Sequence, residues 1–476
     1  MIEPKRLHPI TSVINFLKSL KEFIVPFIFI FLFGGKGPGF DFWQSIIAAA
    51  FVLLSLVGGI LSWLRFTYRV EEGELRIESG LFVRKKRYIP FERIQSLDFS
   101  EGILQRPFGL VKVKVETAGS SGLNNAEAVL TAIKKQDAIA IQEILTSVKR
   151  GQTDPYNENE VEESEETLYT MQPSQLLLLA STSGGAGVVI SASLAFILQF
   201  DELIPYERVF KELQGLISTG VVFVSIILFV LFLIAWMIAV VGTMIKYAGF
   251  TVKKVEEDLV ISRGLLEKRQ LTIPLKRIQG ILISENIVRQ PLGYCSVYLE
   301  TAGGSLEKNS SRTLLLPLIK KKQLATLLSP FLHDYCFTPK MVPAPKRALK
   351  RYMVRGMLLP LIIAAAALIF FRPWGYLSLL LLPFAAFWSY LKYKDAGWNL
   401  HQQQLTLTYR GIVKNTFFMR KNKIQSLTLT SSLFQEKQSL GSIQATVDSG
   451  VGLSGGEVVD IEEQDGLAIY NWYRYQ

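Results

Sequence analysis

Apolar blocks alternate with stretches of period-two patterning, and the alternation occurs three times along the chain. The apolar blocks cover residues 17–33, 43–66, 172–200, 219–245, 352–371 and 377–391. A helix crosses a bilayer in about 20 residues, so the blocks predict membrane spans in three hairpins. Block 377–391 is shorter and follows a tight Arg372-Pro373-Trp374-Gly375 turn. Block 17–33 carries Lys18, Lys21 and Glu22 near its start and Pro26 inside. Lysines at a helix end can snorkel to the interface, so this block also counts as a span. Block 172–200 has a small-residue middle, from Ala180 to Gly187, of the kind that lets helix backbones approach closely.

The polar stretches read as strands. Val111, Val113 and Val115 alternate with Lys112, Lys114 and Glu116; Leu75 and Ile77 alternate with Glu74, Arg76 and Glu78; Val297 and Leu299 alternate with Ser296, Tyr298 and Glu300. Period two is the mark of a half-buried strand. Each stretch closes with an apolar strand and a helix with a charged start, continuing through 138–148, 324–332 and 467–475. Several short strands and one helix predict a small barrel or sandwich capped by that helix.

Internal repetition ties the thirds together. The first reads Ile89-Pro90-Phe91-Glu92-Arg93-Ile94-Gln95 and the second Ile273-Pro274-Leu275-Lys276-Arg277-Ile278-Gln279, while the third keeps Lys423-Ile424-Gln425. A glycine precedes each, at Gly80, Gly264 and Gly411. Downstream come Arg106-Pro107-Phe108-Gly109, Gln290-Pro291-Leu292-Gly293 and a looser Gln438-Ser439-Leu440-Gly441, with two extra residues before Gly441. Glu116-Thr117-Ala118-Gly119 and Glu300-Thr301-Ala302-Gly303 follow in the first two. The resulting division is hairpin 1–66, module 67–150, acidic linker 151–171, hairpin 172–245, module 246–336, basic linker 337–351, hairpin 352–391 and module 392–476.

Composition supports a membrane protein, with 49% hydrophobic and 20% charged residues. The net charge of +11 does not indicate nucleic acid, because much of the basic excess flanks the apolar blocks. Lys5, Arg6, Lys18 and Lys21 precede the first block, Arg65 and Arg69 follow the second, and Lys246, Lys253 and Lys254 follow the fourth. Lys340, Lys346, Arg347, Lys350, Arg351 and Arg355 precede or open the fifth. The opposite loops hold only Lys36, Arg208, Lys211 and Arg372, so both termini and all three modules are expected in the cytoplasm. The first apolar block lacks a small-residue cleavage pattern and reads as a retained anchor. The loop 201–218 fits either an amphipathic helix on the outer leaflet or an ordinary connection. Cys295 and Cys336 suggest no disulfide framework, and His8, His333 and His401 are scattered, so no metal or cofactor is expected.

Two spans followed by a strand-rich module with a Pro-x-x-Arg-Ile-Gln signature resemble the bacterial pleckstrin-homology-like (PH-like) membrane proteins of the YdbS/YdbT type, and the triple arrangement looks most like the YdbT form. The resemblance covers nearly the whole chain. It implies an α+β membrane protein with six transmembrane helices in three hairpins, each followed by a cytoplasmic PH-like β-barrel capped by a C-terminal helix. It carries no catalytic activity across, and hints at envelope defence against antimicrobial peptides. The third module departs from the signature at Met419-Arg420-Lys421-Asn422, which lacks the proline.

Candidate contacts for lipid or partner are Arg84, Lys85, Lys86 and Arg87, with Lys268 and Arg269 at the equivalent place. Clusters of basic residues near a cytoplasmic membrane face attract anionic lipid at about 1 kcal/mol per charge; a solvated basic face is the alternative. Arg93 and Gln95, with Arg277 and Gln279, fit either a repeated ligand contact or the packing of a repeated turn. Gly184–Gly187 lacks the Lys-Ser/Thr of a phosphate loop. Asp395, His401 and the Asp448-Ser449-Gly450 segment can be drawn as a hydrolase triad, but no Gly-x-Ser-x-Gly elbow surrounds a serine. The apolar blocks carry no ionisable residue at their centres, which disfavours a transporter. The function expected is a non-enzymatic scaffold of three tethered modules, docking a second membrane protein of the same two-span-plus-barrel type, with anionic-lipid binding or membrane remodelling as the rival.

Overall fold

The computed structural model describes residues 4–33, 40–81, 83–117, 128–151, 165–184, 191, 221–302, 312–371, 374–449 and 452–474. The glycine run 34–39, residues 185–187, the loop 201–218 and most of the acidic linker lie outside the described residues. The chain forms two compact units, Met1–Ser120 with Ala126–Ile273, and Ser121–Asn125 with Pro274–Gln476.

The first unit opens with β1 (Lys5–Arg6), α1 (Ile10–Phe33), α2 (Phe40–Leu64), β2 (Thr67–Glu71), β3 (Glu74–Ser79) and β4 (Lys85–Pro90). The four strands form one antiparallel sheet in the order β1-β2-β3-β4. Lys5 lies opposite Tyr68 and Arg6 opposite Thr67, so the pair α1–α2 is inserted between two paired strands. Both ends of the apolar pair therefore return to one sheet. Next come β5 (Ile94–Glu101), β6 (Leu110–Thr117), β7 (Ala128–Lys134) and α3 (Lys135–Gly151). The alternation read in the sequence is the inward face: Leu75, Ile77, Val111, Val113 and Val115 all enter one core. Ala138, Ile141 and Leu145 close that core from α3, at the three- and four-residue spacing of a helix face.

The unit continues with β8 (Glu165–Thr170), α4 (Pro173–Ser181), α5 (Val221–Tyr247), β9 (Thr251–Val255), β10 (Asp258–Arg263) and β11 (Lys268–Pro274). Here too a strand before the apolar segment pairs with one after it, Thr170 lying opposite Thr251. β11 then pairs antiparallel with β5 of the preceding repeat, Lys268 opposite Glu101 and Leu271 opposite Asp98. The result is one seven-stranded sheet, β7-β6-β5-β11-β10-β9-β8.

The second unit repeats the plan. It contains β12 (Ile278–Glu285), β13 (Tyr294–Thr301), β14 (Arg312–Lys320), α6 (Lys321–Leu328), β15 (Val342–Pro343), α7 (Ala348–Phe370) and α8 (Leu381–Asp395). β16 (Gly397–His401), β17 (Gln404–Arg410), β18 (Lys414–Arg420), β19 (Ile424–Thr430), α9 (Leu433–Glu436), β20 (Leu440–Ser449), β21 (Gly452–Glu462) and α10 (Glu463–Arg474) complete it. β15 pairs with β16 across the third apolar pair. β18 pairs with β12 from Gly280–Met419 to Glu285–Lys414, giving the sheet β14-β13-β12-β18-β17-β16-β15. Separate barrels on tethers are therefore not what forms: at two junctions an edge strand that would expose its amides and carbonyls is paired by the preceding repeat.

Two turns explain repeated glycines. Gly80 and Gly264 have φ of 115° and 106°, and a Cβ would lie 2.0 Å from the carbonyl oxygen of Val83 or Glu267. Gly411 meets neither restriction, so its match is coincidental to the geometry. The alignment at Gly441 is corrected. The left-handed position is filled by Gly109, Gly293 and Ser439, with φ of 62°, 71° and 49°. Their carbonyls accept the amides of Lys135, Lys321 and Glu463 at 3.3, 2.9 and 3.0 Å. The third module thus has no extra residues; a serine stands where the glycine was sought.

Among the described residues, two helices are long and apolar enough to cross a membrane, Phe229–Tyr247 and Ala348–Phe370. Only 11% and 6% of these segments is buried within the protein. α7 and α8 touch closely, for a Cβ on Gly356 would fall 1.9 Å from the Ser389 Oγ.

Candidate functional site

The signature is a turn between sheets. Phe91–Arg93, Leu275–Arg277 and Lys421–Lys423 each form one 3-10 turn, and the isoleucine that follows is buried in every repeat. Pro90 and Pro274 enter the turn at φ of −59° and −63°; Arg420 enters at −86° and the turn still forms. Proline pre-sets that backbone but is not required for it. Gln279 is buried, and its Nε2 donates to the Arg277 carbonyl at 3.2 Å. The Arg277 carbonyl also accepts from Ala302 N at 3.0 Å. The geometry at Gln279 fits the structural reading of the motif, and the Gln95 side chain lies outside the described residues. Arg93 is exposed on the turn.

The basic run lies at the start of β4, the last strand of its sheet among the described residues. Arg84 precedes β4, and Lys85, Lys86 and Arg87 occupy its exposed first half. Glu78 on β3 pairs with Arg84 and, at 3.7 Å, with Lys86. Lys268 and Arg269 open β11 in the same register, but there they face the strand of the preceding repeat. The structure thus separates residues that sequence grouped as one surface: one set sits on an open edge and the other inside a junction.

The junctions carry a charge pattern that motif reading missed. At the first, Lys268 stands opposite Glu101; at the second, Lys414 stands opposite Glu285. The signal is present in the sequence, as an acid seven residues after the first and second signature isoleucines and a base ten residues before the one that follows. The same acids also receive the first lysine of the capping helix, Lys135 Nζ–Glu101 at 3.1 Å and Lys321 Nζ–Glu285 at 2.7 Å.

Asp98, opposite Leu271 in the first junction, is pushed up to about 6 by burial, with Lys114 and Arg269 pulling the other way. An unfolded aspartate titrates near pH 3.9. Because the folded value is higher, the contribution to stability is full below about pH 4 and is lost as pH rises through 6. Amide protection in β5 and β11, corrected for intrinsic exchange, is expected to fall between about pH 4 and about pH 7, and Asp98→Asn to flatten that slope. An unchanged slope in the variant would remove Asp98 from the account.

The third apolar pair is anchored at both ends. Near the start of α7, the Arg351 Nε donates to Asp460 Oδ1 at 2.8 Å and Arg355 to Oδ2 at 3.1 Å, while Tyr352 Oη donates to the Val459 carbonyl at 2.8 Å. Arg347 pairs with Glu462. At the end of α8, Asp395 takes Arg410 and, at 2.8 Å, Lys414. Asp395 is thereby engaged, and Ser449 Oγ donates to the Gly452 carbonyl at 2.7 Å. Between these anchors lies a cavity of about 510 Å³ lined by Tyr352, Arg355, Lys392, Tyr409, Arg410 and Glu457 among others. Its cations can attract an anionic group where the helices meet the sheet.

Comparison with known proteins agrees with this architecture. The bacterial PH domain family matches residues 20–149, 201–332 and 357–476. The chain is 39% identical over 491 residues to the UPF0699 transmembrane protein YdbT of Bacillus subtilis (strain 168), covering all of this chain and 99% of that one. It is 40% identical over 53 residues to the UPF0699 transmembrane protein YdbS of the same organism, covering 11% of this chain and 33% of that one.

Proposed function

Because this chain belongs to the bacterial PH domain family, we propose that it is a non-enzymatic membrane scaffold whose three PH-like modules dock a second membrane protein of the same two-span-plus-module type. Six helices in three hairpins hold the modules at the cell membrane, with both termini and all modules in the cytoplasm. Three strand pairs support even crossings, because each apolar pair leaves and re-enters one sheet. The observation that carries the scaffold reading is the pairing of β11 with β5 and of β18 with β12. Modules fixed by shared sheets offer a partner several surfaces at once, which raises effective concentration without new contacts. We connect this platform with cell-envelope defence on the family resemblance alone.

A native mass spectrum of the full chain, extracted gently from its own membrane, tests the reading. The expected result is a second polypeptide at fixed stoichiometry. Retained anionic lipid without protein would favour the rival, anionic-lipid binding, for which the cavity beside Arg355 and Lys392 is the specific support. In that case Lys392→Glu is expected to remove the lipid from the spectrum.

A further inference from the structure

Among the described residues, the repeat leaves one β4-type edge open. In the second and third repeats the equivalent strands, β11 and β18, are each covered by a β5-type strand from the repeat before. In the first repeat, among the described residues, β4 ends its sheet with β3 as its neighbour. Resting on the scaffold reading, we propose that β4 is the docking edge, and that it takes the β5-type strand of a PH module on a different polypeptide, with an acidic residue placed to meet Arg84.

Register defines what that strand must carry. Arg84 occupies the position of Lys268 and Lys414, ten residues before the signature isoleucine. Those two lysines face Glu101 and Glu285. The open edge therefore repeats the base of both junctions and asks for their acid. Glu78 holds Arg84 meanwhile in an ion pair whose arginine side chain is 69% exposed, and exposed pairs exchange at little cost.

A second copy of this chain does not meet the requirement. Its β5-type strand left at a sheet edge, among the described residues, is β19, and the position of Glu101 and Glu285 is there Ser431. β19 itself, Ile424–Thr430, carries no charged residue. Lysines on an edge usually discourage unselected pairing. Lys268 and Lys414, the latter ion-paired with Asp395 of its own module, show that in this architecture a base at the start of the strand is compatible with pairing when an acid stands opposite it in register. The same run Arg84–Arg87 then rejects neutral strands and selects an acidic one.

The test places a photo-crosslinking amino acid at Lys86 in the full chain in its own membrane, with a control at the equivalent Gln270. Gln270 lies opposite Phe99, so the control is expected to crosslink within the chain to β5. Lys86 is expected to crosslink to a second polypeptide, at the strand that follows an Arg-Ile-Gln-type turn of a PH module with an acid seven residues past the isoleucine. Arg84→Glu is expected to cut the yield about tenfold or more, as like charges juxtaposed at an interface do, and Arg84→Lys to preserve it. Crosslinking to residues 424–431 of a second copy overturns the choice of occupant. Crosslinking to a protein without a PH module, or no product while the control reacts, overturns the proposal but leaves the scaffold reading if the mass spectrum holds a partner. Crosslinking to lipid only, with no partner in the spectrum, removes both.

Discussion

Replacing Asp460 by alanine is expected to destabilise the second unit by about 3–5 kcal/mol, the cost of removing one member of a buried ion pair and stranding the other. Asp460 is fully buried, and Arg351 is 17% exposed, so the guanidinium cannot recover its hydration by a small movement. Arg355, at 51%, can, and contributes little to the loss. Gln435 Nε2 also donates to Asp460 Oδ1 at 2.8 Å and would lose that acceptor. A further share comes from the backbone, since Asp460 has φ of 59°, where alanine is strained by about 1–2 kcal/mol. Asparagine tolerates that backbone and keeps a hydrogen-bonding oxygen, so Asp460→Asn should fall between wild type and Asp460→Ala in thermal unfolding. The double change Arg351→Ala with Asp460→Ala should recover part of the loss, as coupled residues do. A simple sum of the two single effects would show that the pair is not an energetic unit.

Asp460 also marks where sequence reading stops. Its equivalents are Ala132 and Leu318, both buried and apolar, so the repeat predicts a hydrophobic residue. In the sequence, Arg347, Arg351 and Arg355 read as flanking charge that sets orientation. They do lie at or just before the start of a helix long and apolar enough to cross a membrane, but two neighbouring elements put Arg347 and Arg351 to a second use, as the clamp on β21 and α9. Period-two patterning locates the strands and their inward faces, because the face of a strand is a local property. It is silent on which strands are neighbours. Glu101 and Lys268 are 167 residues apart, and their pairing depends on an edge left open by the rest of the fold. Ser439 shows the opposite case: the spacing of fifteen residues from the signature isoleucine is legible in all three repeats, and the search for a glycine obscures it.

The shared sheet makes a second prediction that separates its two faces. Phe417→Ala is expected to cost about 3–5 kcal/mol, as large-to-small changes at a filled core site do. Phe417 is fully buried in one cluster with Leu282 of β12, Leu407 of β17, and Ile443 and Val458 of the last sheet. A Cβ on Gly280 would meet its ring at 3.0 Å, so β12 accommodates the ring by carrying glycine there. Loss of the ring removes material common to the β12–β18 junction and to the third module's core, and amide exchange should rise in β12 and β20 together. Phe418 points to the other face, where its ring centroid lies 5.6 Å from that of Phe337. Phe418→Ala should therefore loosen residues 331–337 first and leave β20 protected. Equal exchange in β20 for both variants would mean that the faces are not independent. Protection retained in β12 after Phe417→Ala would mean that backbone pairing alone holds the modules together, and the core behind it would no longer be needed to explain the junction.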